Sequence, residues 1–368
     1  MNELLAFVVG GALVALIAAV LWWRSTRQKA APGNPMSSIT GSNRTLTATA
    51  RTSDSEISMS FNEALRRFAA YALDDSPREA LSRPLNPDHA PVFQAVERVL
   101  DRIEARPEYI PRRPSLLPKL LATVNDSEAT FTEMARIIAQ DPALTGNLLR
   151  IANSPLYRVS NLPVESIERA VTLVGVRGIR SIIAVALLQP VMTSGSGTYS
   201  RFPELVWEHT LYSALAAESH ATQIEKAEPF LAQLCGLLYG LSAIVVFRIV
   251  RDQFAAHPHL HGDPASFARL LETWVAPTAG RIAVSWELSQ RVQYALESQT
   301  LAEELKMENS VGRSLRFGRV GASLVVLWPL GRLTETQAKV IIASGEDNRS
   351  QVERLWDRLA ASVLRKLP

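Results

Sequence analysis

The side chains in this sequence that could do chemistry are six histidines and a single cysteine. His257, His259 and His261 lie together in the segment HPHLHGD, where Asp263 adds a carboxylate and a divalent metal could bind. Short histidine clusters between Pro and Gly are more often solvated connectors, and we favour that interpretation. Cys235 lies in an apolar run, which is typical of an inert buried thiol.

Other catalytic signatures are absent from the sequence. It contains no P-loop, no HExxH zinc motif and no GxSxG nucleophile motif. One cysteine can form neither an intrachain disulfide nor a four-cysteine zinc site, which fits a reducing compartment. Arg112 and Arg113, with Lys119 nearby, form a basic cluster that is too small to predict a nucleic-acid partner.

The composition is that of a globular protein, and the distribution of charged residues along the chain gives little support for a nucleic-acid partner. The 368 residues are 47% hydrophobic and 20% charged, which excludes a mostly disordered or fibrous chain. The net charge is +3, and residues 1–58 contain five basic and three acidic residues. Of the 39 basic and 36 acidic residues in the chain, 34 and 33 therefore lie in residues 59–368, which are nearly neutral.

The N-terminal segment predicts a membrane anchor. Leu4 to Trp23 is a run of twenty uncharged residues, which as a helix would span about 30 Å, the thickness of a bilayer core. Trp22 and Trp23 end the run, where aromatic rings favour the interface. Three basic residues follow at once: Arg24, Arg27 and Lys29. Positive flanks stay in the cytoplasm, so we expect a single pass through the inner membrane, with the N-terminus outside and the body in the cytoplasm.

Two further questions about this segment are whether it is cleaved and whether two copies of it pair in the membrane. A cleaved signal peptide would have a positive start, a shorter apolar stretch and a small-residue cleavage site, none of which fits this sequence. Gly11, Ala15 and Ala19 repeat at a spacing that lets two membrane helices approach closely, which would give a homo-oligomer. Gly and Ala are also common in any membrane helix, so that pairing stays open.

The segment after the anchor predicts a flexible tether. Residues 25–58 contain thirteen Ser or Thr and no aromatic residue. Such a composition cannot bury enough apolar surface to offset the entropy of the chain.

From Phe61 onward the apolar residues recur at helical spacing, and no alternating strand pattern is present, which predicts an all-α body. Asp126 or Ser127 is predicted to cap a helix that carries Phe131, and Ser350 to cap the last helix. The prolines predict helix starts at 229, 264 and 277. Further helices are predicted over residues 204–221, 229–250, 264–276, 277–288, 291–299, 335–342 and 350–364.

Two motifs mark helix ends. Asp141 and Pro142 are typical of a helix start, and the helix carries Leu144 on its apolar face. It is predicted to end at Asn153-Ser154-Pro155, because Asn tolerates a left-handed backbone and Pro cannot continue a helix. Gly175 fits the C-terminal cap of the next helix, which Ser166 opens. Capping explains all these residues, and a partner-facing groove is the alternative.

These pieces carry a family resemblance. LPKL at 117–120, DPALTGNLLRIANSPLY at 141–157 and SIERAVTLVG at 166–175 resemble the opening of an HDOD domain, the HD-related output domain of bacterial signalling proteins. WEHTLYSALAAESHA and PFLAQLCGLLYGL resemble its second half. The resemblance implies a helical bundle followed by a lobe related to the HD phosphohydrolases.

The resemblance also implies which metal ligands are missing. HD phosphohydrolases hold metal with a first His, an adjacent His-Asp pair and a later Asp, since imidazole and carboxylate bind divalent ions. His209 in WEHT matches the first position, and we expect it to be a partly buried helix histidine with a satisfied N–H. The pair should fall in GLLYGL, where the chain has Tyr239-Gly240. We therefore expect no metal, no cofactor and no enzymatic activity.

The sequence thus predicts a membrane-tethered, non-catalytic HDOD signalling protein that binds cytoplasmic protein partners. The first alternative is a pseudoenzyme that holds a nucleotide or cyclic dinucleotide in the old cleft, and the second is a residual metal-dependent phosphohydrolase. The expected division is an anchor, a linker, a helical lead-in, the HDOD domain and a helical extension, over residues 1–24, 25–58, 59–110, 111–325 and 326–368.

Overall fold

The computed structural model describes most of the body of the protein. The described residues are 61–74, 78–106, 108–109, 130–140, 163–175, 199–299, 309–344 and 348–364, with single positions between 119 and 179. The anchor and the linker lie outside them, as do Asp141, Pro142, Leu144, Ser154 and Pro155.

Every regular element in these ranges is helical, so the prediction of an all-α body is confirmed. In chain order the α-helices are α1 Phe61–Ala72, α2 Arg78–Leu81, α3 Ala90–Leu100, α4 Phe131–Ile138, α5 Phe202–His220, α6 Pro229–Ala255, α7 Pro264–Ser285, α8 Gln290–Glu297, α9 Ser310–Leu327, α10 Glu335–Ala343 and α11 Arg349–Leu364. A further helical segment covers residues 167–175.

Three helices, α5, α6 and α9, pack closely together and form the centre of the core. α7 and α3 pack against α6, α1 lies against α9, and α10 and α11 close the C-terminal side against α9. Both α5 and α6 begin with a proline in the first turn, where a missing N–H costs little. Their buried residues surround most of each helix, as expected of helices covered on all sides.

α6 is long and apolar enough to cross a membrane by length and composition. Most of its apolar surface is buried by neighbouring helices, as is usual for the core helix of a globular domain. In the described ranges no second helix meets the same criteria. The predicted span at Leu4–Trp23 lies outside those ranges.

Two predicted helix starts were wrong. α4 begins after Thr130, whose side chain accepts a hydrogen bond from the N–H of Glu133, and not at Asp126 or Ser127. The last helix is capped by Asn348, which accepts from the N–H of Gln351. Ser, Thr, Asn and Asp are all good N-caps, so a cluster of them does not define which one is used.

The predicted break at Pro277 was also wrong, because α7 runs through this residue to Ser285. A proline inside a helix removes one backbone hydrogen bond and crowds the preceding turn. Val275 and Ala276 before it and Ala279 and Ile282 after it are buried in the core. Packing of both halves against the same core offsets the local cost and keeps the helix continuous.

Asn153 acts through its side chain and not through a left-handed backbone, since it is absent from the residues with positive φ. Its Nδ2 donates to the backbone oxygens of Leu149 and Val164, each at 2.8 Å. Its Oδ1 accepts from the N–H of Val164 at 2.7 Å. One amide thus joins the end of a helix to the chain that enters the next, where Gly175 ends the helix with a φ of 68°.

Asn153→Ala is expected to destabilise the protein by about 2 kcal/mol, because it leaves the N–H and C=O of buried Val164 without these partners. Ser166→Ala is the matched control. It removes only exposed contacts, in which Ser166 Oγ accepts from the N–H of Arg169 and donates to Glu168 Oε2, and should cost at most about 1 kcal/mol. Urea unfolding of both variants measures the difference in the free energy of unfolding. Equal losses of stability would contradict the view that the Asn153 side chain joins the two segments.

Candidate functional site

The residues predicted at the degenerate HD positions line a cavity of about 630 Å³. His209 comes from α5, Tyr239 and Gly240 from α6, and α7 adds another wall. α1 and the turn after α2 complete the lining with side chains that include Phe68 and Leu85. The N-terminal lead-in is therefore part of the site.

His209 is held by hydrogen bonds to α9. Its Nε2 lies 3.0 Å from the backbone oxygen of Arg319 and 3.0 Å from Ser323 Oγ. A carbonyl oxygen only accepts, so Nε2 carries a proton and donates it. The ring stacks on Phe68 with 4.1 Å between the centroids. Burial, assisted by the charge of Arg319, lowers the pKa of His209 to about 3, so the imidazole is neutral at pH 7.

Arg319 fixes a positive charge beside the HD positions. Its guanidinium carbon lies 3.9 Å from the centre of the Tyr239 ring, a cation–π contact. Nη1 donates to the backbone oxygen of Gln299 at 3.2 Å and to its Oε1 at 3.0 Å. The residue is only 6% exposed, and its Nε has no hydrogen-bond partner among the described residues. Burial, with Arg316 nearby, lowers the pKa of Arg319.

At Gly240, α6 approaches α5 closely beside the cavity. A Cβ at this position would overlap the Thr210 side chain and lie only 2.6 Å from Thr210 Cβ. Thr210 is itself fixed, because its hydroxyl donates to the backbone oxygen of Val206 at 2.6 Å. One turn earlier, a Cβ on Gly236 would lie 2.7 Å from Ala214 Cα. The close packing of α5 against α6 thus requires glycine at position 240. The same glycine provides no metal ligand.

The residues present do not fit the divalent metal centre of the HD phosphohydrolases. Both carboxylates in the cavity wall are paired, Glu63 with Arg67 at 3.0 Å and Glu272 with Arg66 at 3.8 Å. The Arg319 cation would repel a metal bound at His209. Within the ranges that the structure covers, no three His, Cys, Asp or Glu side chains are grouped to hold a metal.

The stability of the protein should fall as the pH is lowered from about 6.5 to about 3, because His209 titrates in this window only when unfolded. The unfolded chain then binds a proton that the folded chain does not, with a slope of at most about 1.4 kcal/mol per pH unit. His209→Gln keeps an N–H donor for Arg319 and removes the titration. Urea unfolding across this range should therefore show a steeper loss for the native sequence, and parallel curves would contradict the assignment.

The other candidate residues lie away from the cavity. Asp263 caps α7 by accepting from the N–H of Ser266 at 2.7 Å, and His257 Nδ1 lies 2.8 Å from the backbone oxygen of Gln253. Cys235 is fully buried, and burial raises the pKa of its thiol to about 12. These contacts are those of a connector and of an inert core thiol.

Comparison with known proteins identifies the class of this chain. The model of the HDOD domain matches residues 110–302, more than half of the sequence. The chain therefore belongs to the HDOD family.

Relatives of known structure support the same fold. An HDOD domain protein with unknown function from Geobacter sulfurreducens is 20% identical, and the match covers 74% of this chain and 98% of that one with a TM-score of 0.50. A protein from Shewanella amazonensis, whose name suggests a phosphohydrolase, is 19% identical over 74% and 98%, also with a TM-score of 0.50. Identities this low show the fold alone.

A relative known by sequence is an uncharacterized protein of Treponema pallidum (strain Nichols). It is 22% identical over 221 residues, which are 60% of this chain and 42% of that protein. The match therefore spans less than half the length of that relative.

Proposed function

We propose that this HDOD protein is a non-catalytic signalling protein that acts by binding protein partners in bacterial regulation. The observation that carries the proposal is the side-chain arrangement at the HD positions. Tyr239 and Gly240 provide no ligand for a hard metal, and Arg319 places a fixed cation on the Tyr239 ring. A site of this kind supports recognition and not metal-dependent hydrolysis.

In this proposal the body is tethered to the cytoplasmic face of the inner membrane by Leu4–Trp23. The support is the length of the uncharged run, its terminal tryptophans and the positive flank that follows. Alkaline extraction of membranes and protease protection of a C-terminal tag test this placement. Release at alkaline pH, or cleavage of the tag in intact spheroplasts, would contradict it.

Partner binding is tested by crosslinking and capture of the tagged full-length protein from its own membranes. Residues 1–58 with the same tag are the matched control, because they keep the anchor and lack the body. The proposal predicts cytoplasmic signalling proteins that are recovered only with the full chain. The same set of proteins in both captures would contradict it.

A second candidate function is a ligand-binding pseudoenzyme, which is favoured by the cavity at the HD positions. A volume of about 630 Å³ lies within the usual range of small-molecule sites. Calorimetric titration with guanosine nucleotides and cyclic dinucleotides tests whether the ligand is a nucleotide. Saturable binding that is lost on changing His209 would favour this candidate over a purely structural cleft.

A further inference from the structure

The floor of the cavity contains a buried cation, Arg319, with no matching anion among the described residues. Arg319 lines the cavity, and burial of its side chain disfavours the charged form of its guanidinium. Its Nη1 is satisfied by the neutral amide of Gln299, while Nε has no partner in the described part of the chain. No carboxylate of the described residues is among the charges that act on it. A buried charge is normally paired, and the described residues provide no anionic partner for this guanidinium.

A second polar group of the cavity wall is also unsatisfied. Ser213 lines the cavity from α5, is 2% exposed, and its Oγ has no hydrogen-bond partner within the ranges that the structure describes. Buried hydroxyls are nearly always hydrogen-bonded, so an unpaired one beside a cavity indicates a missing partner. Like Nε of Arg319, Ser213 Oγ can donate to an oxygen of a bound group.

The other lining residues indicate which kind of molecule would carry the missing anionic group. The side walls are largely apolar, with Leu65, Leu271 and Val275 among their side chains. Exposed Arg83 and Arg269 stand at the edge, where they add positive charge. Both carboxylates of the lining are already paired with arginines, which leaves the cavity positive overall.

We propose that the cavity binds an organic anion, with one carboxylate or phosphate group on an apolar body and the Arg319 guanidinium as the inner partner of that group. The inference rests on the proposed metal-free function and specifies the ligand class of its cavity. A charge-assisted hydrogen bond from Arg319 would satisfy the buried cation, and the apolar walls would cover the body of the ligand. The exposed arginines would attract the anion to the entrance.

The test is calorimetric titration of the full-length protein with four probes. Hexanoate and phenyl phosphate carry the two anionic groups on apolar bodies, hexanol lacks the charge, and inorganic phosphate lacks the apolar body. We expect one site for hexanoate or phenyl phosphate, with affinity at least about tenfold higher than for hexanol or inorganic phosphate. Whichever of the two anions binds more tightly identifies the anionic group. Equal affinity of hexanol, or no saturation by either anion at about 10 mM, would overturn the proposal.

Two variants test the position of the bound anion. Arg319→Gln should lower the affinity at least about tenfold, whereas Arg319→Lys, which keeps the charge, should lose less. Ala243→Leu extends a half-buried wall residue into the cavity and should block binding without touching Arg319. Unchanged affinity in folded Ala243→Leu protein would place the anion elsewhere and overturn the proposal.

Metal-dependent hydrolysis, by contrast, would refute the proposed function itself. Failure of the anion proposal and failure of the proposed function are therefore distinguishable.

Discussion

Replacing Gly240 with alanine is expected to lower the free energy of unfolding by about 2–3 kcal/mol. Alanine is normally the better helix residue by about 1 kcal/mol, so the expected sign is the reverse of the intrinsic preference. The reason is steric, because the added methyl group would overlap Thr210, which is held by its hydrogen bond to Val206. Urea unfolding followed by circular dichroism measures the change.

Gly146→Ala is the matched control for this experiment. Gly146 lies in a helical segment, its φ is not positive, and no atom of the described residues lies within 4 Å of the position that a Cβ would take. It should therefore be neutral or more stable by up to about 1 kcal/mol. Thr210→Ala combined with Gly240→Ala should recover part of the loss, since it removes Oγ1 and Cγ2 from the overlap. Equal effects of Gly240→Ala and Gly146→Ala would contradict the close approach of α5 and α6.

Restoring the His-Asp pair, by Tyr239→His with Gly240→Asp, is expected to yield no metal site and to destabilise the protein by about 4 kcal/mol or more. The aspartate meets the same overlap as alanine with a larger side chain, and it places a carboxylate in a packed helix interface. The free energy of unfolding and the metal content after incubation with Mn²⁺ measure the two effects.

Tyr239→His alone is the control for the pair. Tyr239 is half-buried at the cavity, so histidine loses the cation–π contact with Arg319 without an overlap at Gly240. We expect a folded protein with a loss of about 1–2 kcal/mol. A folded double variant that binds one equivalent of metal would contradict the view that the packing of α5 against α6 is incompatible with the pair.

The helical class could be predicted from sequence because it depends on local patterns. Apolar spacing in 202–220 and 310–327 defines helices, and the residue types at 239 and 240 exclude a metal-ligand pair on their chemistry alone. Boundaries were less predictable, since several capping residues lie near each start and tertiary packing carries α7 through Pro277. A sequence pattern shows that a cap is available and does not show which residue is used.

The composition of the cavity wall could not be predicted, because it joins residues far apart in the chain. In the sequence Arg319 is only a charge that interrupts an apolar stretch, yet it lies on the ring of Tyr239, eighty positions earlier. Phe68 stacks on His209 across an even longer separation. Arg313 and Arg316 interrupt the same helix, so the sequence did not show which of the three arginines is buried.

Helix α1, which follows the predicted tether in the sequence, forms part of the cavity wall. Phe68 covers His209, and Arg66 contacts Glu272 of α7, so the first described helix forms a wall of the site. Residues 25–58 lie just before this helix in the chain. The lead-in segment is therefore an integral part of the folded body and not an independent spacer.

Elemental analysis of the purified full-length protein, with a phosphohydrolase assay on the same sample, measures whether the protein binds without metal-dependent catalysis. We expect no stoichiometric transition metal, and no hydrolysis of phosphomonoesters or cyclic dinucleotides above the rate of the His209→Gln variant. One equivalent of bound metal per chain, with hydrolysis that His209→Gln abolishes, would contradict it and establish a residual phosphohydrolase.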